Sequence, residues 1–420
     1  MTYIEFFDKT ASENVCACLT HIPDRVIYLG NNAKLMQKHI ANYERVFFAR
    51  GFEIEFQYKS VSYSKIENIL NVLTEIVETY DDCVFDVTGG DEMLVMALGM
   101  VYARYPDKNI QIHKFNLRSN VVYDCDLDGN TVYHETPTLS VNENIRIYGG
   151  EVVYGDIQEE KTYLWELTPE FREDLDRMWE ICSYNDECRK WNTQISVWDA
   201  AAAVAVPGPY PCSMTARISD IETKAGKKRT SYKKITGIIN ALKKAGLVTY
   251  FNDSDGATMT VAFKNEQVRR CLTKAGQALE MMIFKAMKDS KESDGTPVYD
   301  DVLNGVVIDW DGDFHEEELA ENDETKNEMD ILAMHDTVPV FISCKNGVVT
   351  SSELYKLYTV AQRFGGPYSR MVLVTTALSD MNNPEHIRQR ASDMNIRILE
   401  DVQKMTPEAL AKRIRTLWCS

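Results

Sequence analysis

The sequence predicts an α/β protein built from three successive units. Strand and helix signals alternate over residues 1–125 and again over the last third of the chain, and a basic helix followed by a hairpin pattern separates these regions. Strands that alternate with helices of this length form largely parallel sheets with helices on both faces. We therefore place the units at residues 1–165, 166–270 and 271–420.

The composition narrows the class of protein further. With 420 residues, 44% hydrophobic and 26% charged, the chain has the balance of a folded multidomain protein. Its longest apolar run, residues 200–206, is too short to span a membrane. Glu5 and Asp8 interrupt the apolar N-terminus, which argues against a signal peptide. Ten scattered cysteines without a Cys-x-x-Cys pair favour the cytoplasm and argue against structural zinc. A net charge of −18 argues against a protein coated in nucleic acid, but it allows a local basic groove or acids that hold metal.

The first unit shows strand and helix patterns in strict alternation. Strands are predicted at 3–7, 24–30, 52–61, 82–90 and 110–117. Helices are predicted at 12–22, 32–51, 64–80 and 91–106. Residues 121–165 are richer in β-formers and turns, so we expect hairpins there.

The middle unit has the order helix, basic helix and hairpin. A helix is predicted at 166–184, and residues 223–246 hold eight Lys and Arg and no acid. Ile235, Ile238, Ile239 and Leu242 share one helical face of that basic stretch. A hairpin with an Asp-Gly turn at 255–256 follows. This order predicts a winged-helix-like segment.

The third unit alternates again around an acidic strip. Helices are predicted at 271–289, 351–364, 383–394 and 406–418, and strands at 329–333, 338–345, 370–376 and 396–400. The strip at 309–328 precedes the first two strands, where its charge would screen a nearby site.

Two strands of this unit carry a pattern suited to cutting phosphodiesters. Because side chains alternate along a strand, Glu328 and Asp330 share one face, as do Ser343 and Lys345. A hairpin would bring Asp330 near Lys345, and Glu280 on the preceding helix is placed to point at the same spot. Carboxylates hold Mg²⁺ or Mn²⁺, which activates a water, and lysine stabilises the charged transition state.

This order of residues resembles the PD-(D/E)xK restriction-endonuclease-like fold. The resemblance implies catalytic roles for Asp330, Lys345, Glu328, Ser343 and Glu280. The sequence departs from the pattern at Ser343, where the family has a glutamate. The metal would then rest on Asp330, Glu328 or Glu280 and on the backbone carbonyl of Cys344, whose side chain is expected in the core.

Three loops of the first unit lead from a strand into a helix: residues 8–14, 28–32 and 86–92. Ligands of open α/β sheets bind beyond the carboxyl ends of the strands, and helix N-termini favour anions. The spacing matches neither a dinucleotide fingerprint nor a Walker A loop. We therefore predict a binding site of another kind at these loops.

The motifs "SENV" and "DVTGGDEMLVMALG" resemble the CRISPR-associated Rossmann fold (CARF) sensor domain. With the nuclease motif, the chain resembles the CARF–nuclease effectors of type III CRISPR defence. The resemblance implies a cytoplasmic homodimer without membrane contact that binds a cyclic oligoadenylate, most often cyclic tetra-adenylate, and then cuts single-stranded DNA or RNA with Mn²⁺ or Mg²⁺. By position, the implied ligand contacts are Thr10, Ser12, Glu13, Asn14, Gly30, Asn31, Thr88, Gly89, Gly90, Asp91 and Glu92.

Two other functions stay open at the level of sequence. The basic stretch also suits a ligand-responsive winged-helix DNA-binding regulator that does not cleave. A restriction-type enzyme without a messenger would leave the three loops unexplained, and the regulator would leave the third unit unexplained.

Overall fold

The structure, a computed structural model, describes most of the chain. It describes residues 1–125, 131–153, 165–182, 201–202, 204–226, 232–274, 276–312, 326–376, 378–381 and 383–417. The strands are β1 Thr2–Phe6, β2 Arg25–Gly30, β3 Glu55–Ser60, β4 Asp82–Asp86, β5 Asn109–Asn116, β6 Val121–Asp124, β7 Tyr133–Glu135, β8 Glu151–Val153, β9 Val206–Pro207, β10 Ser213–Arg217, β11 Val248–Asn252, β12 Thr258–Phe263, β13 Asp301–Asp309, β14 Lys326–His335, β15 Val338–Lys345, β16 Arg370–Thr375 and β17 Ile396–Leu399. The helices are α1 Cys16–His21, α2 Ala33–Ala49, α3 Ile66–Thr79, α4 Glu92–Arg104, α5 Val141–Ile147, α6 Pro169–Cys182, α7 Ile218–Gly226, α8 Tyr232–Lys244, α9 Glu266–Thr273, α10 Gln277–Lys288, α11 Ser351–Gly365, α12 Glu385–Asp393 and α13 Pro407–Arg415.

The first unit is a mostly parallel sheet with β1 near its centre. Its strand order is β3-β2-β1-β4-β5-β6-β7, and β1 to β5 pair in parallel. All of β1 is buried, as expected for a parallel strand covered on both faces. The order reverses between β1 and β4, so the loops that follow these two strands lie side by side. The predicted α/β class is confirmed.

Residues 121–153 differ in part from the expected hairpins. Strands β6 and β7 do pair as antiparallel neighbours, but the chain then forms helix α5. Ser140 and Glu143 cap α5 through a reciprocal capping box, which explains why this short segment is helical. Strand β8, which follows α5, does not join the first sheet but pairs with β13 of the C-terminal sheet.

The middle segment has the winged-helix order that the sequence predicts. Strands run in the order β11-β12-β10-β9, and helices α7 and α8 lie in sequence between β10 and β11. Ile239 and Leu242 of α8 are buried in one cluster with Leu175 of α6. Of the basic stretch, residues 227–231 lie outside the described residues.

The C-terminal unit is a mixed sheet in the order β17-β16-β15-β14-β13-β8. Strands β13 to β15 pair antiparallel, and β15 to β17 pair in parallel. Strand β13 was not predicted, and the helix predicted at 271–289 begins in α9 and continues in α10, with Gly276 (φ +86°) preceding α10. Most of the acidic strip, residues 313–325, lies outside the described residues.

The first and third units share one apolar core. Tyr43 and Tyr148 from the first unit belong to the same buried cluster as Phe341 and Phe364 from the third. The Asn144 side chain, fully buried, donates from Nδ2 to the Phe364 carbonyl at 2.7 Å. Helix α11 is therefore packed directly against the first unit. In the described part of the chain, no helix combines the length and hydropathy that a membrane crossing needs.

Candidate functional site

The β14–β15 hairpin brings Asp330 and Lys345 together. Ile331 pairs with Ile342, so the next position places Asp330 opposite Ser343. The Ser343 hydroxyl donates to Asp330 Oδ2 at 3.2 Å, and the Cys344 N–H donates to the same oxygen at 2.5 Å. Lys345 Nζ lies 3.9 Å from that oxygen. The proximity predicted from strand alternation is thus present.

Glu353 is a second acid at this lysine, and the sequence reasoning missed it. It lies in the first turn of α11, and its Oε2 is 3.2 Å from Lys345 Nζ. Burial disfavours the ammonium, but Asp330 and Glu353 outweigh burial and raise the pKa of Lys345. One feature of the sequence could have identified Glu353: it is the first acidic residue of the helix that follows the strand carrying Lys345.

Glu280 and Glu328 place two more carboxyl groups near Asp330. Burial first, and the Asp330 charge second, raise the pKa of Glu280 to about 8, and Glu328 acts in the same direction. The Gln277 amide donates to Glu280 Oε2 at 3.1 Å. Burial also raises the pKa of Asp330, although Lys345 opposes this. Glu328 itself is exposed on β14, where it pairs with Val307 of β13.

Cys344 behaves as a core residue, as expected. Its side chain is buried, and burial raises the pKa of its thiol well above the ordinary value. A thiol held neutral in this way is a poor nucleophile at neutral pH. Its backbone N–H, not its thiol, makes the hydrogen bond to Asp330.

The donor set suits a hard divalent cation with few protein ligands. Within the described residues, no three His, Cys, Asp or Glu side chains converge on a point where they would jointly hold a metal ion. Mg²⁺ typically binds one or two carboxylates and completes its shell with waters and substrate phosphates. Asp330 with one neighbouring carboxylate fits that mode, and a cation would oppose the burial and the Asp330 charge that raise the pKa of Glu280. The expected trio of Asp330, Glu328 and the Cys344 carbonyl remains a prediction.

The loop after β1 is held rigid by Asn14. The Asn14 Oδ1 accepts from the Asp8 N–H at 2.8 Å, and its Nδ2 donates to the Asp8 carbonyl at 2.8 Å and to the Tyr43 hydroxyl at 3.0 Å. Asn14 is fully buried, and Thr10 and Ser12 are also buried. These three residues of the expected ligand set support the shape of the loop, and their contact with a ligand stays a prediction.

The loop after β4 packs tightly against the loop after β1. A Cβ added at Gly89 would lie 2.6 Å from the Asp8 Cβ, and one added at Gly90 would lie 2.6 Å from the Phe6 Cβ. Gly90 also has φ +87°, which favours glycine. Asp91 caps α4 by accepting from the Met93 N–H at 2.9 Å, and Glu92 is exposed in its first turn. Close contact between the loops thus depends on the two glycines.

The loop residues line two separate pockets. Glu13 and Thr88 line a cavity of about 980 Å³, whereas Asn31 lines a pocket of about 610 Å³ with the 60–64 segment. Gly30 is packed under the Met36 side chain, which would lie 2.9 Å from an added Cβ. The structure therefore groups the first and third loops and sets the second apart.

Cations from both units line the larger cavity, and sequence reasoning missed them. They are Lys114, Arg118, Arg370 and Arg397. Glu13 faces this cavity, and burial, followed by the charge of Asp8, raises the pKa of Glu13 to about 7. The cavity wall therefore favours an anion. This cation-lined cavity could not be predicted from one stretch of sequence, because its cations come from separate strands and loops.

A buried acid beneath the loops gives a prediction for pH dependence. Asp86 pairs with Glu5 in the β1–β4 register, and burial raises the pKa of Asp86 to about 7. The folded state therefore keeps a proton that the unfolded chain releases between about pH 4 and 7, so stability falls as pH rises through that window. We expect Asp86→Asn to remove part of this fall and to exceed the wild type at pH 8 by roughly 2–4 kcal/mol.

Urea unfolding from pH 5 to pH 8 measures this effect. Asp82→Asn, at the exposed first position of the same strand, is the control and should leave the slope unchanged. Equal slopes for the wild type and Asp86→Asn would contradict the assignment of the pH dependence to Asp86.

Comparisons with known proteins agree with this architecture. Residues 265–413 match the family model of the Card1-like endonuclease domain. No curated protein matches the chain significantly. Among solved structures, protein VC1899 from Vibrio cholerae aligns with TM-score 0.73 and 16% identity, covering 99% of this chain and 98% of that one. Can2 from Sulfobacillus thermosulfidooxidans, solved with cyclic tetra-adenylate, aligns with TM-score 0.65 and 17% identity over 98% and 99% of the two chains.

These matches establish the fold of the chain. At such low identity the solved structures establish a shared fold, and it extends over nearly the whole chain. The family model covers α10, the β14–β15 hairpin and α11, which together carry the acids and Lys345. The resemblance seen in the sequence is confirmed for the fold, which nearly the whole chain shares with Can2, and residues 265–413 match the Card1-like endonuclease domain.

Proposed function

We propose that the protein is a metal-dependent endonuclease that cuts single-stranded DNA or RNA and is activated by a cyclic oligoadenylate, namely cyclic tetra-adenylate. The endonuclease domain supports the reaction class. Can2, which shares the fold and is solved with cyclic tetra-adenylate, supports the class of activator. The cation-lined cavity beside Glu13 and Thr88 is compatible with an anionic ligand.

The proposed chemistry uses the hairpin residues. Asp330, with a neighbouring carboxylate, would hold Mg²⁺ or Mn²⁺, which supplies an activated water and neutralises phosphate charge. Lys345 holds a full positive charge next to Asp330 and is placed to stabilise charge that develops on the phosphate. Ser343 and the Cys344 N–H fix the Asp330 carboxylate in orientation.

One observation carries the proposal that the sensor controls the nuclease. Helix α11 has 15 residues and is therefore about 22 Å long. Its first turn carries Glu353, which contacts Lys345. Just beyond its last turn, the Tyr368 hydroxyl donates to the Glu13 carboxylate of the sensor loop. A single rigid element thus joins the predicted ligand loop to the predicted catalytic lysine.

The beginning of the Gly366–Tyr368 turn strengthens this connection. A Cβ added at Gly366 would lie 3.0 Å from the Tyr148 hydroxyl and 3.6 Å from the Thr10 side chain. Tyr148 itself is buried in the core that the first and third units share. A ligand that moves the 8–14 loop would therefore press directly on the end of α11.

A homodimer is part of the proposal. A cyclic tetra-adenylate ring has two-fold symmetry, and a two-fold dimer is a natural receptor for it. Helix α4, which follows the glycine loop, leaves Val95, Met96 and Met100 exposed on neighbouring positions of its surface. An apolar face of this kind on a surface helix favours contact with another protein chain.

The winged-helix segment keeps the DNA-binding regulator as a second candidate function. One assay separates the two. Labelled single-stranded RNA, single-stranded DNA and plasmid are incubated with Mn²⁺ or Mg²⁺, with and without cyclic tri-, tetra- and hexa-adenylate. We expect strand cleavage that depends on both metal and messenger. A gel shift on duplex DNA without cleavage in any metal would favour the regulator, and full cleavage without messenger would remove the gating proposal.

Removing the Tyr368 hydroxyl should weaken the coupling between the units. We expect Tyr368→Phe to bind the messenger as the wild type does but to lose activation by about five-fold, since the missing hydrogen bond is worth about 1 kcal/mol. Messenger titration calorimetry and cleavage rates measured side by side test this. Tyr358→Phe, on the exposed face of α11, is the matched control. Unchanged activation in Tyr368→Phe would contradict a role for this contact.

A further inference from the structure

The candidate nuclease site lacks a carboxylate where its pattern calls for one. Ser343 occupies the position two residues before Lys345, and its hydroxyl donates a hydrogen bond to Asp330 Oδ2 at 3.2 Å. A serine hydroxyl used as a donor in this way offers no negative charge to a cation. The strand itself therefore supplies only the backbone and Lys345 at this point.

Glu353, which lies in α11 and not in β15, places a second carboxylate beside Lys345. Its Oε2 lies 3.2 Å from Lys345 Nζ, and Asp330 Oδ2 lies 3.9 Å from that same nitrogen. The two carboxylates are thus neighbours of one ammonium. The Glu353 side chain is 25% exposed and that of Asp330 16%, so both line a partly buried site that solvent still reaches.

Packing of α11 holds Glu353 at this position. The next residue, Leu354, and Leu357 one turn later are buried in the core that α11 shares with β15 and β16. The Glu353 N–H also donates to the Thr350 carbonyl at 3.2 Å, which starts the helix. The first turn of α11 is therefore anchored. The packing of the helix places Glu353 at the end of β15.

We propose that Glu353 is a catalytic residue of the nuclease site and supplies the second carboxylate that Ser343 does not. This inference rests on the proposed metal-dependent cleavage and deepens it by naming the residue that completes the donor set. Asp330 and Glu353 would together hold the divalent cation. Because Glu353 sits at the start of α11, the same helix that touches the sensor loop at its other end would carry one of the metal-binding side chains.

Relocating the carboxylate tests this assignment. We expect Glu353→Gln to lower messenger-activated cleavage at least 100-fold and to weaken Mn²⁺ binding, measured by titration calorimetry on the full-length protein, at least ten-fold. The double variant Ser343→Glu with Glu353→Gln should recover part of both. Glu408→Gln changes a first-turn acid of α13 in the same unit and should leave both measurements unchanged.

Several results would overturn the proposal. One is Mn²⁺ affinity in Glu353→Gln equal to that of the wild type. Another is a rise in messenger-free cleavage in Glu353→Gln, which would make Glu353 a restraint on Lys345 instead. The Mn²⁺ measurement does not depend on cleavage, so weaker binding that the double variant restores supports Glu353 even if the wild type cuts no tested substrate. Thermal unfolding of each variant confirms that the comparison is made on folded protein.

Discussion

Replacing Lys345 by alanine is expected to abolish messenger-activated cleavage, with a loss of at least about 100-fold, the effect typical of removing one transition-state donor. Lys345 is the one cation that the structure places within 4 Å of both Asp330 and Glu353 among the described residues. Without it, two carboxylates face the substrate phosphate with no protein charge to oppose them. Messenger binding should persist, because Lys345 lies about one length of α11 away from the sensor loop.

The measurement pairs cleavage rates with messenger titration calorimetry. Lys356→Ala, which removes an exposed lysine from α11, is the matched control for loss of charge and should cleave at the wild-type rate. Lys345→Arg keeps the charge but replaces a compact ammonium by a planar fork, so we expect it to recover only part of the activity. Full cleavage by Lys345→Ala would remove Lys345, and with it the hairpin, from the proposed site.

The sequence predicted best what depends on local pattern and on one short turn. Strands β1, β2 and β4 were found because buried parallel strands are continuous apolar runs between helices of regular length. The meeting of Asp330 with Lys345 was found because Asp336 and Thr337 alone join β14 to β15, and a turn this short fixes the register of the pair.

What escaped prediction depends on packing between distant parts of the chain. Glu353 reaches Lys345 because of the way in which α11 packs on β15. The sequence of residues 345–353 does not predict that packing geometry. Strand β13 was missed because Asn304 and Gly305 interrupt its apolar run, and β8 has only three residues. The burial of Asn14 was missed because the sequence does not distinguish a loop asparagine that contacts a ligand from one that hydrogen-bonds to the loop backbone.

The sensor loops give the second large effect, at Gly90. We expect Gly90→Ala to weaken messenger binding at least ten-fold and to lose activation with it. An added Cβ would lie 2.6 Å from the Phe6 Cβ and 3.3 Å from the Phe6 carbonyl oxygen, so the loop after β4 must move away from β1. Since the loops after β1 and β4 form one surface, separating them disrupts any ligand contact that both provide.

A second glycine separates this effect from simple backbone strain. Gly51 has φ +81°, close to the +87° of Gly90, but an added Cβ there meets nothing within 4 Å. Both alanine variants should therefore lose stability by about 1–2 kcal/mol for the left-handed backbone, and only Gly90→Ala should lose the messenger. Urea unfolding and titration with cyclic tetra-adenylate measure the two quantities independently. If Gly90→Ala bound the messenger as tightly as Gly51→Ala does, close packing of the loops would not be what forms the binding surface.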